Sequence, residues 1–293
     1  MDSMWAIPEA IIDCHWLKDR YDRQDIRIYD CTSYLHYTDE HPSQPYDVVS
    51  GFDNYCRSHI PNAAFLDLQQ DLSENNSPYS FTIPALHDLA ERFKKQGVGE
   101  PFHIILYSAN GMQWATRIWW MLYAAGYQRV SILNGGFAAW QEAGLPTQES
   151  ITKWEPAEFE ARPKPNIFVG KQRVLDAIAD EKTVLLNALT SDLHLGESAR
   201  YGRPGRIPTS LNIPFTSFMK NGLHDIKSAS EAQQILAEHG LNQDTDIVNY
   251  CGGGIAATLN AFVMLQLGFS SLQIYDNSMS EWAMDHSLAI ETG

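Results

Sequence analysis

The chain has 293 residues, a length that usually corresponds to about two domains. Hydrophobic residues make up 44% of the chain and charged residues 19%, as in globular proteins with extensive cores. The formal net charge of −15 disfavours broad contact with nucleic acid or an anionic membrane, so an anionic ligand would need a local positive site. The start of the chain lacks the basic and apolar stretches of a signal peptide, and no apolar run approaches the ~18 residues that span a bilayer, so we expect a cytoplasmic protein.

The first half of the chain alternates apolar strand patterns with helical patterns. Short apolar runs at 26–30, 103–107 and 130–134 predict buried strands, and the segments 83–96 and 115–125 predict helices. Alternation of this kind predicts an α/β domain with a parallel sheet covered by helices on both faces.

The second half repeats this plan. Apolar runs at 183–187, 246–250 and 272–276 match the three strands of the first half, and helices are predicted at 230–239 and 256–267. Because the matched segments occur in the same order, the pattern indicates a duplicated domain.

The spacing of aromatic residues supports the duplication. Tyr107 and Trp140 lie 33 positions apart in the first half, and Tyr250 and Trp282 lie 32 positions apart in the second. Between the halves, the segment 146–166 contains four prolines and many charges, which is typical of a linker.

We therefore predict a first domain at 1–145, a linker at 146–165 and a second domain at 166–293.

Cys251 is set apart from the other cysteines, Cys14, Cys31 and Cys56, by its surroundings. None of the four forms a CxxC pair or a zinc-type Cys/His spacing, so we expect neither a metal site nor disulfides. Cys251 follows a predicted strand and precedes three glycines and a predicted helix. The carboxyl ends of parallel strands are where open α/β sheets form their sites.

The glycines after Cys251 have a physical purpose. Residues without a Cβ atom let the backbone turn tightly, so that consecutive N–H groups can point toward one anion. The helix that begins near Ile255 adds further free N–H groups. This arrangement favours a thiolate or another anion on Cys251. The residues predicted to bind the anion are Gly252, Gly253, Gly254, Ile255 and Ala256.

A cysteine phosphatase is an alternative, since it also places a cysteine before a backbone cradle. Such a loop requires an arginine six residues after the cysteine, where it binds the phosphoryl group. Here that position is Ala257, which disfavours this alternative.

An Ile-Pro pair also recurs in the two halves, as Ile60-Pro61 and Ile207-Pro208. Taken together, the duplicated plan, these paired segments and the cysteine loop resemble tandem-domain rhodaneses, the family of thiosulfate and 3-mercaptopyruvate sulfurtransferases. The resemblance covers nearly the whole chain, and the segments 10–17, 117–122, 133–137 and 275–282 resemble further blocks of the family.

The resemblance implies a fold of two rhodanese-like domains and a catalytic Cys251. It places Ser108 at the corresponding position of the first domain, which would therefore be inactive. The implied reaction needs no cofactor. Cys251 takes sulfane sulfur from a small anionic donor, thiosulfate or 3-mercaptopyruvate, as a persulfide, and passes it to a thiol, cyanide or a thioredoxin-like dithiol.

Several positions depart from the family pattern. Gly253 replaces a serine of the mercaptopyruvate-type loop, Phe81 stands where a first-domain histidine is expected, and Leu189 replaces an arginine after the first strand of the second domain. The preferred donor therefore stays open, and so does the alternative of a non-catalytic persulfide carrier.

Three arginines, Arg200, Arg203 and Arg206, occur within seven residues of an otherwise acidic chain. We predict that Arg200 and Arg203 bind the anionic donor above Cys251, with Arg200 the stronger candidate, and that Arg206 is structural. A solvated basic loop is the alternative.

Other polar and aromatic residues are interpreted as structural. His59 is expected to bond to backbone, Trp140 and Trp282 to lie in the core, and Asp30 to be a strand-end carboxylate. Asp276 is a candidate for holding the cysteine loop.

Overall fold

The computed structural model describes residues 4–38, 45–220 and 222–293, which form two successive α/β units. The strands of the first unit are β1 (Ile11–Ile12), β2 (Ile26–Asp30), β3 (Ser33–Tyr37), β4 (Tyr46–Ser50), β5 (Ala63–Phe65), β6 (His103–Tyr107) and β7 (Val130–Leu133). The strands of the second are β8 (Phe168–Val169), β9 (Thr183–Asn187), β10 (Leu211–Asn212), β11 (Met219–Lys220), β12 (Asp225–Ile226), β13 (Asp246–Tyr250) and β14 (Leu272–Tyr275).

Helices alternate with these strands in both units. The first unit contains α1 (Cys14–Lys18), α2 (Phe52–Arg57), α3 (Leu68–Leu72), α4 (Leu86–Lys95), α5 (Gln113–Ala125) and α6 (Gly136–Glu142). The second contains α7 (Lys171–Ile178), α8 (Ser191–Leu195), α9 (Ala229–Glu238), α10 (Ala256–Gln266) and α11 (Ser278–Trp282). Short 3-10 turns occur at Pro8–Ala10 and Phe215–Phe218.

Each unit has a parallel sheet with the same strand order. The first sheet runs β1-β7-β6-β2-β5 and the second runs β8-β14-β13-β9-β10. Corresponding central strands pair in the same way, with Asp30 opposite Tyr107 and Asn187 opposite Tyr250. The predicted duplication and the α/β class with two parallel sheets are thereby confirmed.

The helices α5 and α10, one from each unit, pack against each other between the sheets. Burial on nearly all sides explains why both are apolar around most of their circumference. The Trp119 ring meets the Phe262 ring edge to face at 4.9 Å, and Trp120 Nε1 donates to the Thr258 carbonyl at 3.0 Å. The two units therefore share one core between them.

Each unit extends one antiparallel hairpin across to the other unit. The hairpin β3–β4 of the first unit brings Tyr46 against Gly253, beside Cys251. The hairpin β11–β12 of the second unit covers the matching loop of the first, where Met112 N donates to the Leu223 carbonyl at 3.4 Å. The strand patterns in the sequence did not predict either hairpin.

The segment 146–165 runs along the first unit in extended conformation. It contains isolated bridges of Gln148 with His59 and of Glu158 with Glu100, and Arg162 N donates to the Ala125 carbonyl at 2.8 Å. These contacts fix the path of the chain from one unit to the next.

Candidate active site

Cys251 follows β13 and is only 2% exposed, at a cavity of about 120 Å³ between the two units. The first unit supplies Leu35, Tyr37, Tyr46, Gln113 and Trp114 to its walls. The second supplies the cysteine loop together with Leu189, Thr190, Leu193, Arg200, Tyr201 and Phe215. A cysteine in a small, mostly apolar cavity lined from two units is placed to react with a small molecule rather than to fill a core.

The carbonyls at the start of the cysteine loop are bound by helix α11. The Cys251 carbonyl accepts from Met279 N at 3.1 Å. The Gly252 carbonyl accepts from both Ser280 N and Ser280 Oγ, each at 2.8 Å. These bonds fix the orientation of the first two peptide planes of the loop.

The later carbonyls of the loop are bound on the side of α5 and α10. The Gly254 carbonyl accepts from Arg117 Nη1 at 3.1 Å, and the Ile255 carbonyl accepts from Thr258 Oγ1 at 2.6 Å. Arg117 belongs to the first unit, so the first unit takes part in shaping a loop of the second.

Because a trans peptide points its C=O and the following N–H in opposite directions, fixing these carbonyls also aims the next N–H groups. The groups aimed away from the bound carbonyls belong to Gly252, Gly253, Ile255 and Ala256. All four residues line the cavity, whereas Gly254 does not. No described residue accepts a hydrogen bond from these four N–H groups, so they are free to bind an anion.

Each glycine of the loop lies too close to a neighbouring atom for a side chain to fit. A Cβ atom on Gly252 would collide with Tyr201 Oη, and one on Gly253 would collide with Tyr46 Oη. Gly254 has φ +72° and lies against the Asp276 carbonyl, so it acts through backbone conformation rather than by facing the cavity.

Arg200 is the predicted arginine that the structure brings to the cavity. Its guanidinium carbon lies 4.1 Å from the centre of the Tyr37 ring, a cation–π contact that orients the side chain. Among the described residues that line the cavity, Arg200 carries the positive charge.

Arg203 lies elsewhere, outside the cavity lining. Its guanidinium donates to four backbone carbonyls at 2.7–3.1 Å, those of Trp282, Ala283, Asp285 and Leu288. Its donors are therefore used in holding the end of the chain, and the structure does not bring it together with Cys251.

Arg206 also serves the end of the chain. Its Nη1 donates to the Gly293 carbonyl at 2.8 Å, and its Nε lies 3.5 Å from Glu291 Oε2. This placement agrees with the structural role predicted for it.

The residues predicted to be structural are buried and bonded as expected. His59 is fully buried with Nδ1 2.6 Å from the Tyr55 carbonyl oxygen, and Trp140 and Trp282 are fully buried in the two cores. Asp30 ends β2 and accepts from Thr32 N at 2.9 Å.

Asp276 links the two units behind the cysteine loop. Its carboxylate accepts from Arg117 Nη2 at 2.6 Å and from Ile83 N at 2.8 Å. Since Arg117 also donates to Gly254, Asp276 supports the loop indirectly, as the sequence suggested.

Ser108 and Phe81 are the two first-unit residues that the family resemblance singled out. Ser108 follows β6, is 1% exposed, and its Oγ accepts from Asn110 N at 3.0 Å. Phe81 is buried behind the cavity wall, where its ring stacks on Tyr46 at 6.2 Å between centroids.

The tyrosines around Cys251 were missed by sequence reasoning. Tyr37 and Tyr46 come from the β3–β4 hairpin and Tyr201 from the arginine-rich loop. Burial raises the pKa of Tyr46 and of Tyr201 above the ordinary tyrosine range, so both hydroxyls keep their protons.

A buried histidine lies beneath the second-unit side of the cavity. Asn187 Oδ1 accepts from Leu189 N at 2.9 Å, which leaves its amide nitrogen facing His194 Nδ1 at 3.1 Å. Burial, with a smaller contribution from the charge of Arg206, lowers the pKa of His194 to about 4. His194 is therefore neutral and accepts through Nδ1.

In the described part of the chain, no helix is long and apolar enough to cross a membrane. Among the same residues, no group of three or more His, Cys, Asp or Glu side chains is placed to bind a metal ion.

Comparison with known proteins agrees with this geometry. The rhodanese-like domain model matches residues 13–143 and again 172–285. The 3-mercaptopyruvate sulfurtransferase of Mus musculus is 32% identical over 94% of this chain and 92% of its own. The thiosulfate sulfurtransferase of Gallus gallus is 27% identical over 94% of both chains.

A solved structure shares the whole two-unit arrangement. The crystal structure of SseA from Escherichia coli, a 3-mercaptopyruvate sulfotransferase with the rhodanese fold, superposes with a TM-score of 0.77 at 28% identity. The match covers 92% of this chain and 98% of that chain.

Two matching α/β units, with a cysteine and free loop N–H groups in a cavity between them, are the fold and site of sulfur-transferring enzymes. The chain belongs to the rhodanese family, as a sulfurtransferase with two rhodanese-like domains.

Proposed function

We propose that Cys251 is the nucleophile that carries the transferred sulfur. In the first step its thiolate attacks the outer sulfur of the donor and an S–S bond forms. The bond between that sulfur and the rest of the donor breaks, and its electron pair leaves with sulfite from thiosulfate, or with the enolate of pyruvate from 3-mercaptopyruvate. The enolate then takes up one proton.

In the second step an acceptor removes the outer sulfur of the Cys251 persulfide. Cyanide would leave as thiocyanate, and a thiol or a thioredoxin-like dithiol would receive the sulfur as a persulfide of its own. The S–S bond breaks, its electron pair returns to Cys251, and the thiolate is regenerated.

The observation that carries this proposal is the set of free N–H groups beside Cys251. Four loop residues that line the cavity have N–H groups without a described acceptor, and hydrogen bonds to their neighbouring carbonyls aim these N–H groups away from the bound carbonyls. Such donors stabilise a thiolate and a persulfide anion without reorganising during the reaction.

The donor we infer is a small anion, thiosulfate or 3-mercaptopyruvate. The cavity is small and mostly apolar, and Arg200 offers one guanidinium to a carboxylate or a sulfonate. Leu189 lines the wall where the family resemblance led us to expect a second arginine.

We also propose a division of labour between the units. The unit at 1–145 would not react, since Ser108 is a poor sulfur acceptor, and would provide one wall of the cavity. The segment 146–165 would serve as the linker, and 166–293 as the catalytic domain. A cytoplasmic location would suit an enzyme that depends on a free thiolate.

Cyanolysis tests the function. The protein is incubated with cyanide and either thiosulfate or 3-mercaptopyruvate, and thiocyanate is measured over time. We expect turnover with at least one donor, loss of it to the buffer background in Cys251→Ser, and wild-type turnover in Cys56→Ser, a partly buried cysteine outside the cavity. Equal rates for wild type and Cys251→Ser with both donors would refute the proposal.

A further inference from the structure

Gly253 lines the cavity, yet the space for its side chain is occupied by another residue. A Cβ atom built on Gly253 collides with Tyr46 Oη, whereas it would lie 3.7 Å from Tyr46 Cζ, an ordinary contact distance. The hydroxyl alone therefore fills the volume that a small side chain at position 253 would take.

Tyr46 is held in this place by its ring. The side chain is 3% exposed, its ring stacks on Phe81 at 6.2 Å, and Tyr37 meets it edge to face at 6.0 Å. A buried aromatic ring between two others has little rotational freedom, so its hydroxyl is preorganised against the cysteine loop.

The hydroxyl of Tyr46 is a proton donor in this position. Ser280 Oγ lies on the same side of Gly253, 3.8 Å from the position of a Cβ atom there, and gives its own proton to the Gly252 carbonyl at 2.8 Å. Burial raises the pKa of Tyr46, so its hydroxyl keeps its proton. An anion in the cavity would accept a hydrogen bond from this hydroxyl.

We propose that Tyr46 is a catalytic residue of the sulfur-transfer reaction, supplied to the cysteine loop of the second unit by the hairpin of the first. Its Oη donates a hydrogen bond to the group that leaves as the outer sulfur passes to Cys251. This inference rests on the function proposed above and assigns one residue within it.

The role predicts that the two donors respond differently. The pyruvate enolate gains negative charge on an oxygen as the C–S bond breaks and must be protonated, whereas sulfite is a stable anion without that need. Tyr46→Phe should lower kcat with 3-mercaptopyruvate about 10- to 100-fold, the range expected for losing one hydrogen bond to a charged group. The effect on kcat with thiosulfate should be several-fold smaller.

A second substitution distinguishes loss of the Tyr46 hydroxyl from general disruption of the cavity. In wild type, Gly253→Ser should reduce turnover because the new Cβ collides with Tyr46 Oη. In Tyr46→Phe, the same serine has room for its Cβ and brings a hydroxyl to the vacated space. The double variant should therefore be several-fold more active with 3-mercaptopyruvate than either single variant.

The matched control is Tyr34→Phe on the same hairpin. The Tyr34 hydroxyl accepts from Asn54 Nδ2 at 2.7 Å and does not line the cavity, so this variant should keep wild-type kcat. Alkylation of Cys251 by iodoacetamide and the midpoint of thermal unfolding show whether each variant remains folded.

The outcomes separate the two proposals. If wild type transfers sulfur through Cys251 and Tyr46→Phe keeps wild-type kcat with 3-mercaptopyruvate, the role of Tyr46 is refuted while the proposed function stands. An equal loss with both donors and no recovery in the double variant would also refute it. If wild type transfers no sulfur from either donor, the proposed function itself fails.

Discussion

Arg200 and Arg203 lie three residues apart, but only one of them reaches the cavity. Arg200 stacks over the Tyr37 ring at the cavity wall, while Arg203 gives its donors to carbonyls near the end of the chain. The sequence could indicate a basic cluster in an acidic chain but could not separate the two roles, because they depend on which carbonyls the fold brings within reach.

Arg200 should determine affinity for the anionic donor. Replacing it with methionine removes the guanidinium that faces the cavity, so we expect kcat/KM for thiosulfate and 3-mercaptopyruvate to fall about 10- to 100-fold, mainly through KM. Arg162→Met, an exposed arginine paired with Glu160, is the control and should leave kcat/KM unchanged. A wild-type KM in Arg200→Met would show that the donor is bound by the loop amides alone.

At the scale of elements, the best predicted features are the central strands. The strands β2, β6, β9 and β13 have the same bounds as the runs predicted from the sequence, because strands buried on both faces are rich in apolar residues. The hairpin β3–β4 was not predicted, since it is only partly buried and its residues are largely polar or aromatic. Tyr37 and Tyr46 were missed with it.

The contact between β9 and α8 should make stability depend on pH. The pKa of His194 is about 4 in the folded protein, against an ordinary value near 6.5. Between pH 6.5 and 4, therefore, this histidine is protonated in the unfolded chain but neutral in the folded protein. The contribution of His194 to the free energy of unfolding should therefore decrease as the pH is lowered from 7 to 4.

The measurement is urea unfolding of wild type and His194→Gln across this range. The stability difference between the two proteins should shift by on the order of 2 kcal/mol against wild type as the pH falls. Parallel stability curves for the two proteins would mean that His194 titrates normally in the folded state.

At the scale of the whole molecule, one buried ion pair ties the two units to the cysteine loop. Arg117 is fully buried and donates to Asp276, to Phe81 and to Gly254. The sequence suggested a role for Asp276 but not its partner, because Arg117 lies on a helix of the other unit and no local pattern links the two.

Replacing Arg117 should lower both the free energy of unfolding and the rate of sulfur transfer. Arg117→Met leaves Asp276 buried without its counter-charge, which costs about 3–5 kcal/mol of unfolding free energy. The substitution also removes the hydrogen bond to the Gly254 carbonyl. Sulfur transfer should therefore fall, although Arg117 does not line the cavity. Arg129→Met, half-exposed beside Glu100, is the control for urea unfolding and cyanolysis. Full turnover in Arg117→Met would show that the loop keeps its shape without this bond.

The most direct test of the central claim is the intact mass of the protein after reaction with a donor. Wild type treated with thiosulfate or 3-mercaptopyruvate should gain the mass of one sulfur atom, lose it again on addition of cyanide, and yield a peptide modified at Cys251. Cys251→Ser should gain nothing under the same conditions. Sulfur found on Cys14, Cys31 or Cys56 instead, or no gain in wild type with either donor, would contradict the assignment of Cys251 as the sulfur carrier.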